Sequence, residues 1–144
     1  MSISIRHGWG LAGILALLLT IGCFLKPIEP VGSVTGTVSY EGTPLDDGIV
    51  SFINYDQGVR VDAEIQPDGT YTATTHKGGL PLTEYKVIVF PPEIPDPNPS
   101  GTSEPGLVLK TMDNIPKQYR APKTTPLTCQ VEAGENAFDV EMKN

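Results

Sequence analysis

Val59-Arg60-Val61-Asp62-Ala63-Glu64-Ile65-Gln66-Pro67-Asp68-Gly69-Thr70-Tyr71 alternates apolar and polar residues and then breaks on a proline and an Asp-Gly pair. Side chains on a strand point alternately to opposite faces, so Val59, Val61, Ala63 and Ile65 form one buried side. Arg60, Asp62, Glu64 and Gln66 form a side that meets water. Gln66 to Thr70 reads as a tight turn, because Asp-Gly tolerates the positive φ of a hairpin turn, and it delivers Tyr71 to Thr75 as the returning strand. The same period of two recurs on either side. Upstream, Ser33 to Tyr40 sets Val34, Val38 and Tyr40 against Thr35, Thr37 and Ser39, and Ile49 to Asn54 reads as another strand. Downstream, Glu84 to Phe90 puts Tyr85, Val87 and Val89 inward. Leu127, Cys129 and Val131 then mark a sixth strand, and Phe138, Val140 and Met142 a seventh. Gly42, Pro44, Asp46-Asp47-Gly48, the loop His76 to Leu82, and Ala133-Gly134-Glu135-Asn136 read as turns. Seven short strands without a helical period after Cys23 predict an all-β, seven-stranded antiparallel Greek-key sandwich over residues 33–144. That pattern argues against helix-based enzymes and parallel-sheet nucleotide binders.

The start of the chain is of another kind. Trp9 to Phe24 holds no charge, follows Arg6, and runs into Gly22-Cys23 before the sequence turns polar and proline-rich. A basic start, an apolar core from Leu11 to Ile21 and a small residue before the break are the parts of a secretory signal, predicting a signal helix over residues 1–22. Thr20-Ile21-Gly22-Cys23 resembles a bacterial lipobox, departing from it in Thr20 where that pattern prefers leucine. The resemblance implies that Cys23 takes a diacylglycerol and becomes the first mature residue. Trp9 to Leu25 also sits at the short limit of the ~17–25 residues that span a bilayer, which leaves an uncleaved single-pass anchor as the alternative. Ordinary secretion after cleavage is a third reading; all three put the remainder outside the cytoplasm, and the first two hold it at the membrane. Residues 23–32, with Pro27 and Pro30, read as a stiff tether.

Size and charge narrow the partners. Residues 23–144 suffice for one domain with a core. The whole chain carries a formal charge of -7, and removing residues 1–22 takes away Arg6 but no acid, leaving -8. Such a surface disfavours nucleic acid and anionic lipid. Once Cys23 is acylated, Cys129 has no disulfide partner and reads as a small buried hydrophobe without a neighbouring cation to activate it.

Candidates for chemistry are few. His7 belongs to the leader, and His76 sits in a glycine-rich turn where a solvated loop residue is the simplest reading. No nucleophile elbow and no His-Glu-x-x-His segment is present. The run Asp96-Pro97-Asn98-Pro99-Ser100-Gly101 imitates the first half of a calcium loop, but its twelfth position is Leu107 instead of a bidentate glutamate. Asp46-Asp47, Asp62 with Glu64, and Asp139 with Glu141 read as solvated acids that discourage edge-to-edge pairing. The expectation is a non-enzymatic chain without cofactor or metal.

Val34-Thr35-Gly36-Thr37-Val38, Gly42-Thr43-Pro44-Leu45, Asp68-Gly69-Thr70-Tyr71, and Gly79-Leu80-Pro81 with Glu84-Tyr85-Lys86-Val87 together resemble the carboxypeptidase regulatory-like domains. That family has a prealbumin-like (transthyretin-like) seven-stranded sandwich and recurs in small bacterial lipoproteins. Those lipoproteins carry an Ile-Pro-Lys-x-Tyr segment, here Ile115 to Tyr119, and a Gly-Glu-Asn-x-Phe strand, here Gly134 to Phe138. The resemblance implies the non-catalytic companion of a peptidase. Its motifs are turn and core motifs, so it speaks for fold more than for activity.

The insertion 91–125 is the least typical part, since long connections without structure tend to be functional or disordered. Pro91 to Gly106 reads as extended and mobile. Leu107-Val108-Leu109, Ile115 and Tyr119 are expected to fold back over one end of the sandwich, with one helical turn beginning at Pro116. Tyr119 and Arg120, residue types enriched at interface hot spots, are the candidate partner surface. The function expected is a lipid-anchored envelope module with a structural or protein-binding role, its partner an envelope protein or polysaccharide. A carbohydrate- or small-ligand-binding module is the first alternative, weakened because the only tryptophan is Trp9. A transthyretin-like hydrolase is the second, and a single histidine in the mature chain speaks against it.

Overall fold

Burial of one side of each alternating run is what pairs the strands into two sheets. The computed structural model describes residues 29–76, 78–98 and 106–144. The leader, Cys23 and most of the tether lie outside those residues. Twelve strand segments follow in order: β1 (Val31–Tyr40), β2 (Thr43–Pro44), β3 (Ile49–Asn54), β4 (Val59–Glu64), β5 (Thr70–Ala73), β6 (Leu80–Pro81), β7 (Glu84–Phe90), β8 (Glu93–Pro95), β9 (Leu107–Leu109), β10 (Thr128–Gln130), β11 (Gly134–Ala137) and β12 (Val140–Met142). A 3₁₀ turn, Lys117–Arg120, precedes β10 and starts after Pro116, as the sequence predicts.

One sheet is built around β1. Along one edge β1 meets β6, β5 and β2 in succession, all antiparallel. Along the other it meets β11 and β12, both parallel. The second sheet has the order β10-β7-β3-β4 and is antiparallel throughout. The chain is thus all-β and sandwich-like, with an antiparallel rule broken at β1. The break has a simple cause: the chain crosses from β10 to β11 at the Val31 end, so its last two segments run in the direction of β1. Parallel neighbours cannot be joined by a tight turn, and here almost the whole domain lies between them.

Three further expectations are corrected. Gln66 to Thr70 does close tightly, with Gly69 N–H donating to Gln66 O at 2.8 Å and Gln66 N–H to Thr70 O at 2.8 Å. The hairpin is not continued, because β5 leaves β4 and pairs with β1 in the opposite sheet. Ala133 to Asn136 bends only at Ala133 and at Gly134, whose φ is 91° and which is already the first residue of β11. Asn136 holds that corner by donating from Nδ2 to Ser33 O at 3.1 Å and Glu132 O at 2.9 Å. The tether also ends early, since Val31 and Gly32 pair with Pro81 and Leu80.

The inner faces meet on an aromatic cluster. Phe52 is fully buried, with ring centroids 6.1 Å from Tyr71, 6.2 Å from Tyr85 and 6.4 Å from Phe138. Each such pair adds about 0.5–1.5 kcal/mol beyond area burial. Both phenols find acceptors: Tyr71 donates to Phe138 O and Tyr85 to Pro81 O. Cys129 is buried beside them, and burial raises its thiol pKa, consistent with an inert core residue.

Burial pushes the Tyr71 phenol far above its ordinary value near 10, helped by the Cys129 thiol and the Asp139 carboxylate, and burial raises Tyr85 likewise. A raised acid contributes stability below the unfolded-state pKa. Above about pH 10 the unfolded chain releases phenolic protons that the folded chain retains, so folding weakens as pH rises. Thermal melts are expected to be flat in this respect up to about pH 9.5 and to fall steeply beyond it. Tyr71→Phe should flatten that slope, whereas an unchanged slope would place the titrating group elsewhere.

Met112, Ile115 and Tyr119 belong to the same core. They close one end of the sandwich, with Ile115 beside Gly48 and the Tyr119 hydroxyl accepting from Lys143 N–H at 3.1 Å. The expected fold-back therefore holds for Met112 to Tyr119. Leu107-Val108-Leu109 does not take part.

Candidate functional site

Pro91 and Pro92 stop the second sheet, since neither can donate to a ladder and β7 ends at Phe90. The chain then leaves the sandwich as a separate two-stranded ribbon of β8 and β9, with Glu93 opposite Leu109, Ile94 opposite Val108 and Pro95 opposite Leu107. Two hydrogen bonds bracket it: Asp96 N–H donates to Gly106 O at 2.8 Å, and Lys110 N–H donates to Pro92 O at 2.9 Å. Asp96 also accepts from Asn98 N–H at 2.8 Å, turning the chain at its tip.

The base of the ribbon is pinned electrostatically. Lys110 Nζ lies 2.6 Å from Asp47 Oδ2, while Asp47 Oδ1 accepts from Gly48 N–H at 2.8 Å. The hydrogen bond from Lys110 holds the Asp47 carboxyl below the usual carboxylate range, and the same bond raises Lys110. Both side chains remain part-exposed, so the pair sets direction more than it stabilises.

What the ribbon carries is apolar. Leu107 is 64% exposed, Val108 38% and Leu109 54%. Scattered exposed leucines are ordinary, but three consecutive apolar residues on a projecting strand are a typical mark of an interaction site. The place of the ribbon follows from the registers. Thr37 of β1 meets Thr70, which follows the Glu64 end of β4, and Ile49 pairs with both Glu64 and Phe90. The Tyr40 end of β1 and the Phe90 end of β7 therefore coincide. The chain enters the sandwich at the Val31 end, and the ribbon leaves at the other.

Tyr119 and Arg120, the expected partner surface, are occupied internally. Tyr119 is only 6% exposed. Arg120 donates from Nε to Ile115 O at 2.8 Å and from Nη2 to Met112 O at 2.6 Å, tying the closing segment to itself. The 3₁₀ turn puts Tyr119 against the core and leaves the guanidinium spanning the turn before it. Arg120→Ala is expected to cost about 1.5–3 kcal/mol, the range for hydrogen bonds to a charged donor. Urea unfolding checks this, and a loss below about 0.5 kcal/mol would mean the carbonyls find water instead.

His76 is exposed in its turn. Asp62 accepts from Ser51 Oγ and from Arg60 Nε at 2.9 Å. Asp139 accepts from Thr37 N–H at 2.8 Å and from its hydroxyl at 2.9 Å, and these bonds lower its pKa. Residues 99–101 of the calcium-like run lie outside the described residues. Among the described residues, no three His, Cys, Asp or Glu side chains converge on a point where a metal ion would sit. A shallow depression of about 340 Å³ lined by Tyr40, Glu41, Thr43, Pro44 and Asn114 lies at the ribbon end, and one of about 390 Å³ lined by Glu29, Val31, Val59 and Leu82 lies at the entry end.

Comparison of the chain with family models, with curated proteins and with solved structures finds no match.

Proposed function

We propose that this chain is a non-enzymatic, lipid-anchored module of a bacterial cell envelope that presents the β8–β9 ribbon to a protein partner. The observation that carries the reading is the disposition of the two ends: the described chain joins the first sheet at Val31, and the ribbon bearing the exposed Leu107-Val108-Leu109 strand leaves the second sheet at the opposite end. With acyl chains on Cys23 contributing about 0.8 kcal/mol per buried CH₂, the domain is fixed at the membrane and the ribbon faces away from it.

The sandwich is read as the seven-stranded, prealbumin-like form of the carboxypeptidase regulatory-like domains. β2 and β6 count as short extensions of the edge held by β5, and β11 with β12 as one interrupted strand. This grouping leaves β1, β3, β4, β5, β7, β10 and the terminal pair. The quoted motifs support it by their positions: Gly36 lies where β1 meets the chain between β11 and β12, and Asp68-Gly69 closes the crossing into β5.

Cys23→Ala tests the anchoring. The variant is expected to leave the membrane fraction or to stall with its leader attached. Unchanged detergent partitioning together with unchanged mature mass would contradict the reading.

A further inference from the structure

We propose that β9 is a self-pairing edge, through which two copies of this chain join antiparallel about a two-fold axis passing at Val108. The proposal deepens the reading of the ribbon as the presented surface and names its occupant.

The backbone dictates the register. In an antiparallel pair, residues that exchange hydrogen bonds alternate with residues whose N–H and C=O point outward. The bonds from Asp96 to Gly106 and from Lys110 to Pro92 make 96/106 and 92/110 bonded pairs, and alternation makes Ile94/Val108 the third. Leu107 and Leu109 therefore turn their N–H and C=O away from β8, and no strand among the described residues pairs with that edge. The opposite edge of the ribbon is blunted at both of its outward residues, since Pro95 has no N–H and Glu93 carries a charge that would face itself across a self-paired edge. Among the described residues, β9 is the ribbon edge with neither obstacle.

That edge is complementary to itself. Two antiparallel copies aligned on Val108 place Leu107 opposite Leu109 of the second copy, and the reverse. Both leucines present outward donors and acceptors, so the two pairs exchange four hydrogen bonds. All four leucines fall on one face, where directly opposite apolar side chains meet across the ladder. The next pair is Lys110 opposite Gly106 of the second copy, so the alignment sets no like charges directly across the ladder. A C2 interface uses one patch twice, and this three-residue strand meets that condition.

The contact is small. Three residues a side fall well short of the ~800 Å² per partner of a stable soluble complex, so the pairing belongs to high local concentration. Two copies confined to one membrane surface meet at a higher local concentration than the same copies in solution.

Disulfide trapping tests the register. Val108 faces its own counterpart in a non-hydrogen-bonded pair, with Cα atoms about 4.5 Å apart, within disulfide reach. Leu107 and Leu109 are each displaced by two residues from their own counterparts, beyond that reach. Purified full chain at about 1 mM in detergent supplies the concentration without relying on the mode of anchoring. Under mild oxidation, Val108→Cys is expected to give roughly tenfold more covalent homodimer than Leu107→Cys, Leu109→Cys or the unsubstituted chain. Adding Leu109→Pro to Val108→Cys removes an outward N–H that the ribbon does not use and should abolish the cross-link while leaving the thermal melt unchanged. A Val108→Cys chain that stays monomeric overturns the proposal. So do equal yields from all three single cysteines, or retention of the cross-link in the proline variant.

Discussion

Gly36→Ala is expected to cost about 3–5 kcal/mol, a large share of the about 5–15 kcal/mol by which native domains are stable. A Cβ at this position would lie 2.0 Å from Phe138 O and 2.7 Å from its carbonyl carbon, both backbone atoms that cannot rotate aside. β1 passes there against the link between β11 and β12. The link is tied by Phe138 N–H donating to Thr35 O at 2.9 Å, by Thr37 N–H donating to Asp139, and by Tyr71 donating to Phe138 O. Moving the strands apart to admit a methyl group breaks these together. Overpacking of this kind costs about 1–3 kcal/mol and each lost neutral hydrogen bond about 0.5–1.5. Gly106→Ala is the control, since nothing lies within 4 Å of its Cβ direction. Urea unfolding of both variants checks the expectation. A loss under about 1 kcal/mol for Gly36→Ala would mean that the parallel terminal strand is not held against β1 as described.

Phe52→Ala is expected to cost about 3–5 kcal/mol and to lower the melting temperature by about 15 °C or more. Phe52 is fully buried on β3 and, among the described residues, is the ring that pairs with Tyr71, Tyr85 and Phe138, which come from both sheets. Removing it leaves a cavity between layers that Tyr71 and Tyr85, fixed by their own hydroxyl bonds, cannot collapse to fill. Phe52→Leu keeps most of the volume and should lose much less. If calorimetry finds Phe52→Ala no worse than Phe52→Leu, the two sheets do not meet on this ring.

The long runs were legible because one-sided burial writes itself into the sequence. Val59–Glu64 alternates in burial along its length, and Val34, Val61, Tyr85 and Val89 are buried as the period requires; Ile49–Asn54 and Glu84–Phe90 keep their expected bounds although Ser51, Ile53 and Ile88 are buried on the other face as well. Two-residue segments such as Thr43–Pro44 and Leu80–Pro81 have no period to read. They exist because β1 is long enough to offer them an edge. Parallel pairing of β11 and β12 with β1 is likewise a tertiary fact, joining residues about a hundred positions apart.

The candidate site shows the same limit more sharply. Leu107-Val108-Leu109 and Ile115 with Tyr119 are similar in hydropathy and lie in one insertion, yet the first is exposed and the second buried. Composition could not separate them. The prolines do so in space, since Pro91, Pro92, Pro95 and Pro97 keep the ribbon off the second sheet, while the turn after Pro116 aims Tyr119 inward. Tyr119 and Arg120 looked like interface residues by type, and their type also suits a core ring and a guanidinium that bridges carbonyls.

Whether Cys23 fastens this domain to a membrane, as proposed, is decided by mass analysis of the mature protein purified from membranes. The expected product is a chain that begins at Cys23 and carries the added mass of a diacylglycerol on the thiol. An intact leader with an unmodified Cys23 would contradict it.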